Sequence, residues 1–197
     1  EEVYRQRNEA LLSNDISARV LEDLRDAASE RVERYVEDKL HRAEWNLRGL
    51  ADELAYLCMS PVSAPELEGA TRDAVVERAT EFAEKAYRAR ETQFGSEVMR
   101  ELERHLYLFT LDEHWRDHLH ELDYLKGGIG LQAYGQRDPL VQYKKEAFTL
   151  FETMMGEVRE DIVQRLFRVQ VQGPAAAREV IREAPRQPRQ IVAQHAE

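Results

Sequence analysis

The chain has 197 residues, with 28 Lys and Arg against 38 Asp and Glu and a formal net charge of −10. It is long enough for one sizeable domain or two small ones sharing an interface, and its acidity argues against a nucleic-acid binder and against flat adsorption to anionic lipid. Nine glycines and six prolines are too few for the turns of a many-stranded sandwich or barrel, so an all-α fold is expected.

The opening Glu1-Glu2-Val3-Tyr4-Arg5 has no Met, no basic segment and no apolar stretch, and reads as a position inside a larger protein rather than a signal peptide. Residues 1–12 look like the last turns of a helix. Ser13 or Asp15 can then cap a helix whose apolar positions Ile16, Val20, Leu24, Ala27, Val32, Tyr35 and Val36 recur at three- and four-residue steps. Between Trp45 and Glu68 the period weakens. Leu47, Leu50, Leu54 and Leu57 predict a short helix, and Ser60-Pro61-Val62-Ser63-Ala64-Pro65 breaks the chain into a loop-rich elbow. The single cysteine, Cys58, can close no intramolecular disulfide and completes no CxxC motif, which suits a reducing compartment.

From Thr71 the helical period resumes through Val75, Val76, Ala79, Phe82, Ala83, Ala86 and Tyr87, with Gly95 as a stop. Two apolar rows follow. Val98, Leu102, Leu106 and Phe109 form one, and Leu108, Leu111, Trp115, Leu119, Leu122 and Leu125 the other, on a helix of about 30 residues and roughly 45 Å. Glycines at 127, 128, 130 and 135 then end it in a tip over 127–137, and Asp138-Pro139 restarts a helix as cap and first residue. The returning helix carries Tyr143, Ala147, Leu150, Phe151, Met154, Met155, Val158, Ile162, Leu166 and Val169. A long antiparallel two-helix hairpin results, with Trp115, Leu119 and Leu122 facing Phe151 and Met155 across its seam. Gly173-Pro174 breaks the pattern, and 172–197 is expected to be a disordered linker. No apolar run reaches the roughly 18 to 20 residues of a transmembrane segment.

Chemistry is sparse. His114 and His118 share a helical face near Asp117 and Glu121, a spacing that can hold a metal ion. Trp115 stands where a zinc protease needs Glu, and Leu111 and Trp115 where a di-iron site does; solvated or salt-bridged histidines are therefore the favoured reading. His41, His105, His120 and His195 show no partner arrangement. Gly127-Gly128-Ile129-Gly130 suggests a phosphate cradle, yet no strand precedes it and no Gly-Lys-Ser/Thr follows. Cys58 has no base nearby and no Gly-x-Ser-x-Gly elbow occurs, so no catalytic residue is predicted.

The tip is more informative. Residues 126–145 hold Lys126, Arg137, Lys144 and Lys145 against Asp138 alone, and the tip carries Ile129, Leu131 and Tyr134 on a glycine-rich loop. Those side chains either cap the end of the hairpin core or form an apolar and aromatic knob with a basic rim that presses into a partner.

The run Leu111-Asp112-Glu113-His114-Trp115-Arg116-Asp117-His118-Leu119, then Asp123-Tyr124-Leu125-Lys126, the glycine-rich tip, Gln136-Arg137-Asp138-Pro139 and Glu146-Ala147-Phe148, resembles the C-terminal part of the SecA family of bacterial preprotein translocase ATPases. The resemblance covers about 1–171, is strongest from 97 onward and is looser through 45–70. It implies that 1–12 end a long scaffold helix, 13–96 form a helical wing domain, and 97–171 form the remaining scaffold helix with a two-helix finger. It also implies a finger whose tip, through Ile129, Leu131, Tyr134 and Arg137, contacts the SecYEG channel and the preprotein. The scaffold would pack on nucleotide-binding domains that hold ATP and Mg and help regulate hydrolysis, in a cytoplasmic protein peripherally bound to the plasma membrane. The Walker motifs and the Cys/His zinc tail of that family are missing from this segment, which alone is expected neither to hydrolyse ATP nor to bind that zinc. The alternatives are a stand-alone helical adaptor and a helical metalloprotein using His114 and His118.

Overall fold

The computed structural model describes residues 3, 5, 10–13, 15–37, 39–132 and 138–169, with 129–132 described by backbone alone. Helix α1 spans Ser17–Tyr35, α2 Leu47–Cys58, α3 Ala64–Leu67, α4 Arg72–Phe94, α5 Ser96–Gln132 and α6 Pro139–Arg168. Residues 3, 5 and 10–12 are helical as well, and a 3₁₀ turn at Arg42–Glu44 precedes α2. Among the described residues no strand occurs, and the fold is all-α.

Short polar side chains set most of the helix starts by accepting the backbone N–H groups that a first turn leaves unpaired. Asp15 Oδ1 accepts from Ser17 N–H at 2.8 Å, Asn46 Oδ1 from Gly49 at 2.9 Å, Thr71 Oγ1 from Ala74 at 3.2 Å and Asp138 Oδ1 from Leu140 at 2.9 Å. Ser63 and Glu66 form a reciprocal capping box around Pro65, which is how the elbow holds one turn of helix. The stop at Gly95 is a backbone conformation, φ 84° and ψ 145°, which glycine adopts without the clash a Cβ would bring.

One apolar cluster joins the elements. Val20, Leu24 and Val32 of α1, Leu50, Leu54 and Leu57 of α2, and Val75 of α4 are fully buried with Met99, Leu102 and Leu111 of α5 and Val158, Ile162 and Leu166 of α6. Ala27 and Ala28 on α1 and Ala79 and Ala83 on α4 are buried too, and such small side chains let helix axes approach closely. Each fully buried Leu or Ile contributes about 1.5–3 kcal/mol, so the wing and the base of the hairpin form a common core.

Arginines tie the same parts together. Buried Arg31 donates through Nη1 to the Ala27 carbonyl at 2.7 Å, pairs with Glu160 of α6 and lies 3.7 Å from Glu53 of α2. Arg159 of α6 meets Glu30 at 2.8 Å and Asp26 at 3.3 Å on α1. Arg90 of α4 lies over the Phe94 ring and donates to the carbonyls of Leu166, at 2.9 Å, and Val169. These carbonyls end α6, where the helix has no further N–H to offer them.

The hairpin departs from expectation at its far end. α5 runs 37 residues to Gln132, so Gly127, Gly128 and Gly130 lie within it and the tip is shorter than 127–137. Glycine costs a helix about 1 kcal/mol relative to alanine but removes no hydrogen bond, and neither Gly127 nor Gly128 is contacted on its Cβ side. The linker 172–197 lies outside the described residues.

Candidate functional site

The finger is built on the register between α5 and α6, which run antiparallel as each other's main partners. At its base Arg165 Nη2 donates to Glu113 at 2.7 Å and stands over the Phe109 ring. One turn outward, His114 Nε2 meets Asp161 Oδ2 at 2.9 Å and its Nδ1 lies 3.6 Å from Glu157. His114 is thus set between two carboxylates of α6. Among the described residues no group of three or more His, Cys, Asp or Glu is placed to hold a metal ion.

Farther out, His118 fills a position that the reading from sequence gave to a leucine. It is 3% exposed, with its ring centroid 5.5 Å from Trp115 and 6.0 Å from Phe151, the latter in edge-to-face geometry. Burial holds its pKa below the ordinary histidine value, and its Nδ1 has no hydrogen-bond partner. Leu119 is 45% exposed and does not enter the seam. The reason is rotation. Each four-residue step advances about 40°, so Leu119, two such steps beyond Leu111, has turned about 80° away from it. Steps of seven, four and three from Leu111 reach His118, Leu122 and Leu125 instead and stay on one face. Trp115, Leu122, Phe151 and Met155 are half-buried, and Trp115, Phe151 and Met155 pack against the apolar cluster.

Beyond the seam the finger leaves apolar surface open at Tyr124, Leu140, Val141 and Phe148. Of the tip residues, Tyr134 and Arg137 lie outside the described residues, as do the side chains of Ile129 and Leu131. Asp138-Pro139 opens α6 as the sequence pattern predicts, with Pro at the first helical position, where its missing N–H costs nothing. Among the described residues no helix is long and apolar enough to cross a membrane.

A polar cluster at the wing–hairpin corner is not apparent from sequence. Tyr87 donates through its hydroxyl to Glu103 Oε1 at 2.6 Å, and Arg100 Nη2 donates to both Tyr87 Oη and Glu91 Oε1 at 2.7 Å. In sequence Glu103 stands among ordinary solvated charges, whereas in the fold it is completely buried. The signal was only its place four residues after Met99 and three before Leu106.

The family described as the SecA Wing and Scaffold domain matches residues 1–170. The chain is 38% identical over 196 residues to the protein translocase subunit SecA of Pelotomaculum thermopropionicum, a match covering 94% of this chain and 22% of the relative. It is 37% identical over 194 residues to that of Syntrophobacter fumaroxidans, covering 95% and 23%, and 36% identical over 190 residues to that of Streptomyces coelicolor, covering 91% and 20%. The chain therefore spans about a fifth of the length of the curated relatives it matches.

Proposed function

The chain belongs to the SecA wing and scaffold family, and on that premise we propose that it works within a protein translocase as the wing, the scaffold and the finger through which an ATP-driven motor acts on a preprotein. The observation that carries this reading is the family match over 1–170 on a chain whose longest elements, Ser96–Gln132 and Pro139–Arg168, form one hairpin. A lever transmits displacement only if it does not splay, and the seam from Leu111 to Phe151 opposes splaying by holding apolar side chains out of water. The tip then contacts the SecYEG channel and the moving polypeptide, through Tyr134 and its neighbours Ile129, Leu131 and Arg137. The base packs on nucleotide-binding domains of the same parent chain, which bind ATP and Mg and whose hydrolysis it restrains or couples. No cofactor is assigned to this segment, and the assembly works peripherally at the cytoplasmic face of the plasma membrane.

The exposed apolar side chains of the distal finger support the same reading, because a lever end that engages partners carries surface that is not satisfied within the lever. In full-length protein, Tyr134→Ala should lower the translocation rate severalfold while basal ATP hydrolysis and the melting temperature stay near their original values. Translocation at the unaltered rate would remove the assignment of the tip.

A further inference from the structure

Wing and finger base form one body, because they share an apolar core and three arginine ties. On α6 those ties fall toward the C-terminal end: Glu160 pairs with Arg31, Arg159 reaches Glu30 and Asp26, and Arg90 holds the carbonyls of Leu166 and Val169. The buried residues of α6, from Met154 to Phe167, lie in the same half. Toward the tip the wing runs out. Arg34, Glu53 and Tyr56 border a cleft whose α6 wall ends, on the tip side, at Thr153, and between Pro139 and Thr153 no residue of α6 is buried. On α5, among the described residues, only His118 is buried beyond Leu111. A stretch with so few buried contacts yields before the core does.

At that boundary α6 is weakened along one face. Thr149, Thr153 and Gly156 follow one another at steps of four and three, so they share a side of the helix, the side on which Thr153 and Gly156 border the cleft with the wing. Thr149 Oγ1 donates to the Lys145 carbonyl at 3.2 Å, and Thr153 Oγ1 to the Thr149 carbonyl at 3.0 Å. Each hydroxyl competes with the backbone N–H of its own residue for that carbonyl, which loosens the turn and bends helices. Gly156 adds backbone freedom in mid-helix, although its Cβ direction is empty to 4 Å and no close approach demands a glycine there. The seam beneath is adaptable too. Met154 and Met155 are unbranched and repack readily, and buried His118 keeps its Nδ1 unbonded between Trp115 and Phe151, so the straight form has no bond there to lose.

We infer that the finger has a flexural joint over 149–156 of α6 and the facing 115–118 of α5, about which the distal hairpin swings toward or away from the wing while its two helices stay paired. Wing and base are the fixed mount. No backbone bond has to break, since a helix curves by slight lengthening of the bonds on one side. The joint does not depend on what the tip engages, and its test reads geometry rather than translocation, so it stands or falls apart from the assignment of the tip.

Spin labels in the full-length chain separate the parts, at Asp52 on the wing, Ser96 at the base, and Asp123 and Lys145 on the two distal helices, all of them exposed. Cys58, buried with its thiol pushed up to about 12, stays unlabelled. The Asp52–Ser96 and Asp123–Lys145 pairs should each give a narrow distance distribution, and Asp52–Lys145 a broad one. Thr149→Ala, Thr153→Ala and Gly156→Ala combined should narrow the Asp52–Lys145 distribution toward the width of Asp52–Ser96. An Asp52–Lys145 distribution already that narrow in the original protein, or unchanged by the triple substitution, overturns the joint. A broad distribution for either of the other pairs does so too, because the mount would then move or the distal helices would part rather than bend.

Discussion

Leu111 and Ile162 at the base of the finger expose 0% and 1% of their surface, whereas Phe148 and Tyr124, nearer the tip, expose 60% and 83%. The two regions are built from the same pair of helices. What changes is the company: near the base α1 lies against α6 and α4 against α5, and past them, among the described residues, each helix has only the other. Two helices alone bury one stripe apiece, and any apolar residue off that stripe meets water. The base therefore has the stability of a domain core, and the distal finger has only the strength of a single seam.

The largest test of this contrast is truncation at the base. Leu111→Ala should cost about 3–4 kcal/mol, read as a lowered urea midpoint, and a loss under about 1 kcal/mol would mean that base and distal finger are packed alike. Next is the pH dependence of the corner. Because Glu103 has its carboxyl raised to about 7 in the fold, its contribution is fully present below the ordinary carboxylate value near 4.5 and is lost as pH rises through about 7. Urea titrations should therefore show stability falling by roughly 2 kcal/mol over that window, with the slope flattened in Glu103→Gln. Asp23, raised to about 6 mainly by burial, adds to the fall in the same direction.

Smaller effects belong to the distal half. Gly127→Ala and Gly128→Ala should each raise stability by roughly 0.5–1 kcal/mol, because both residues lie in helix with no neighbour on the Cβ side. Hydrogen exchange at the end of α5 should slow with them, and faster exchange would show that the helix stops short of Gly127. Smallest of all is Leu119→Ala, expected to stay within about 0.5 kcal/mol. A cost above about 2 kcal/mol would return Leu119 to the seam and displace His118 from it.

Local grammar made much of the fold legible. Thr71, Gly95 and Asp138-Pro139 announce helix ends because a cap is a matter of two or three neighbouring residues, and Leu47, Leu50, Leu54 and Leu57 announce α2 by their three- and four-residue steps even where the surrounding period weakens. The seam was harder. Ranking by hydrophobicity selects Leu119 over His118, yet rotation about the helix axis decides which one faces α6, and an imidazole whose charged form burial disfavours packs between rings as an aromatic does. The glycines misled in the opposite sense, since residues that end helices when their backbone must turn left-handed are merely weak helix formers when it need not. The partner of Glu103 could not be found without the fold, because Tyr87 lies 16 residues away on another helix.

Arg90 determines how mechanical load leaves the finger. A helix pulled at its C-terminal end normally frays from the last turn, where carbonyls hang free. Here the final carbonyls of α6 are gripped by a guanidinium rooted in α4, so tension from the chain after Val169 passes sideways into the wing before it can unwind α6. The wing thus clamps the end of α6, and fraying of its last turn has first to break the bonds from Arg90.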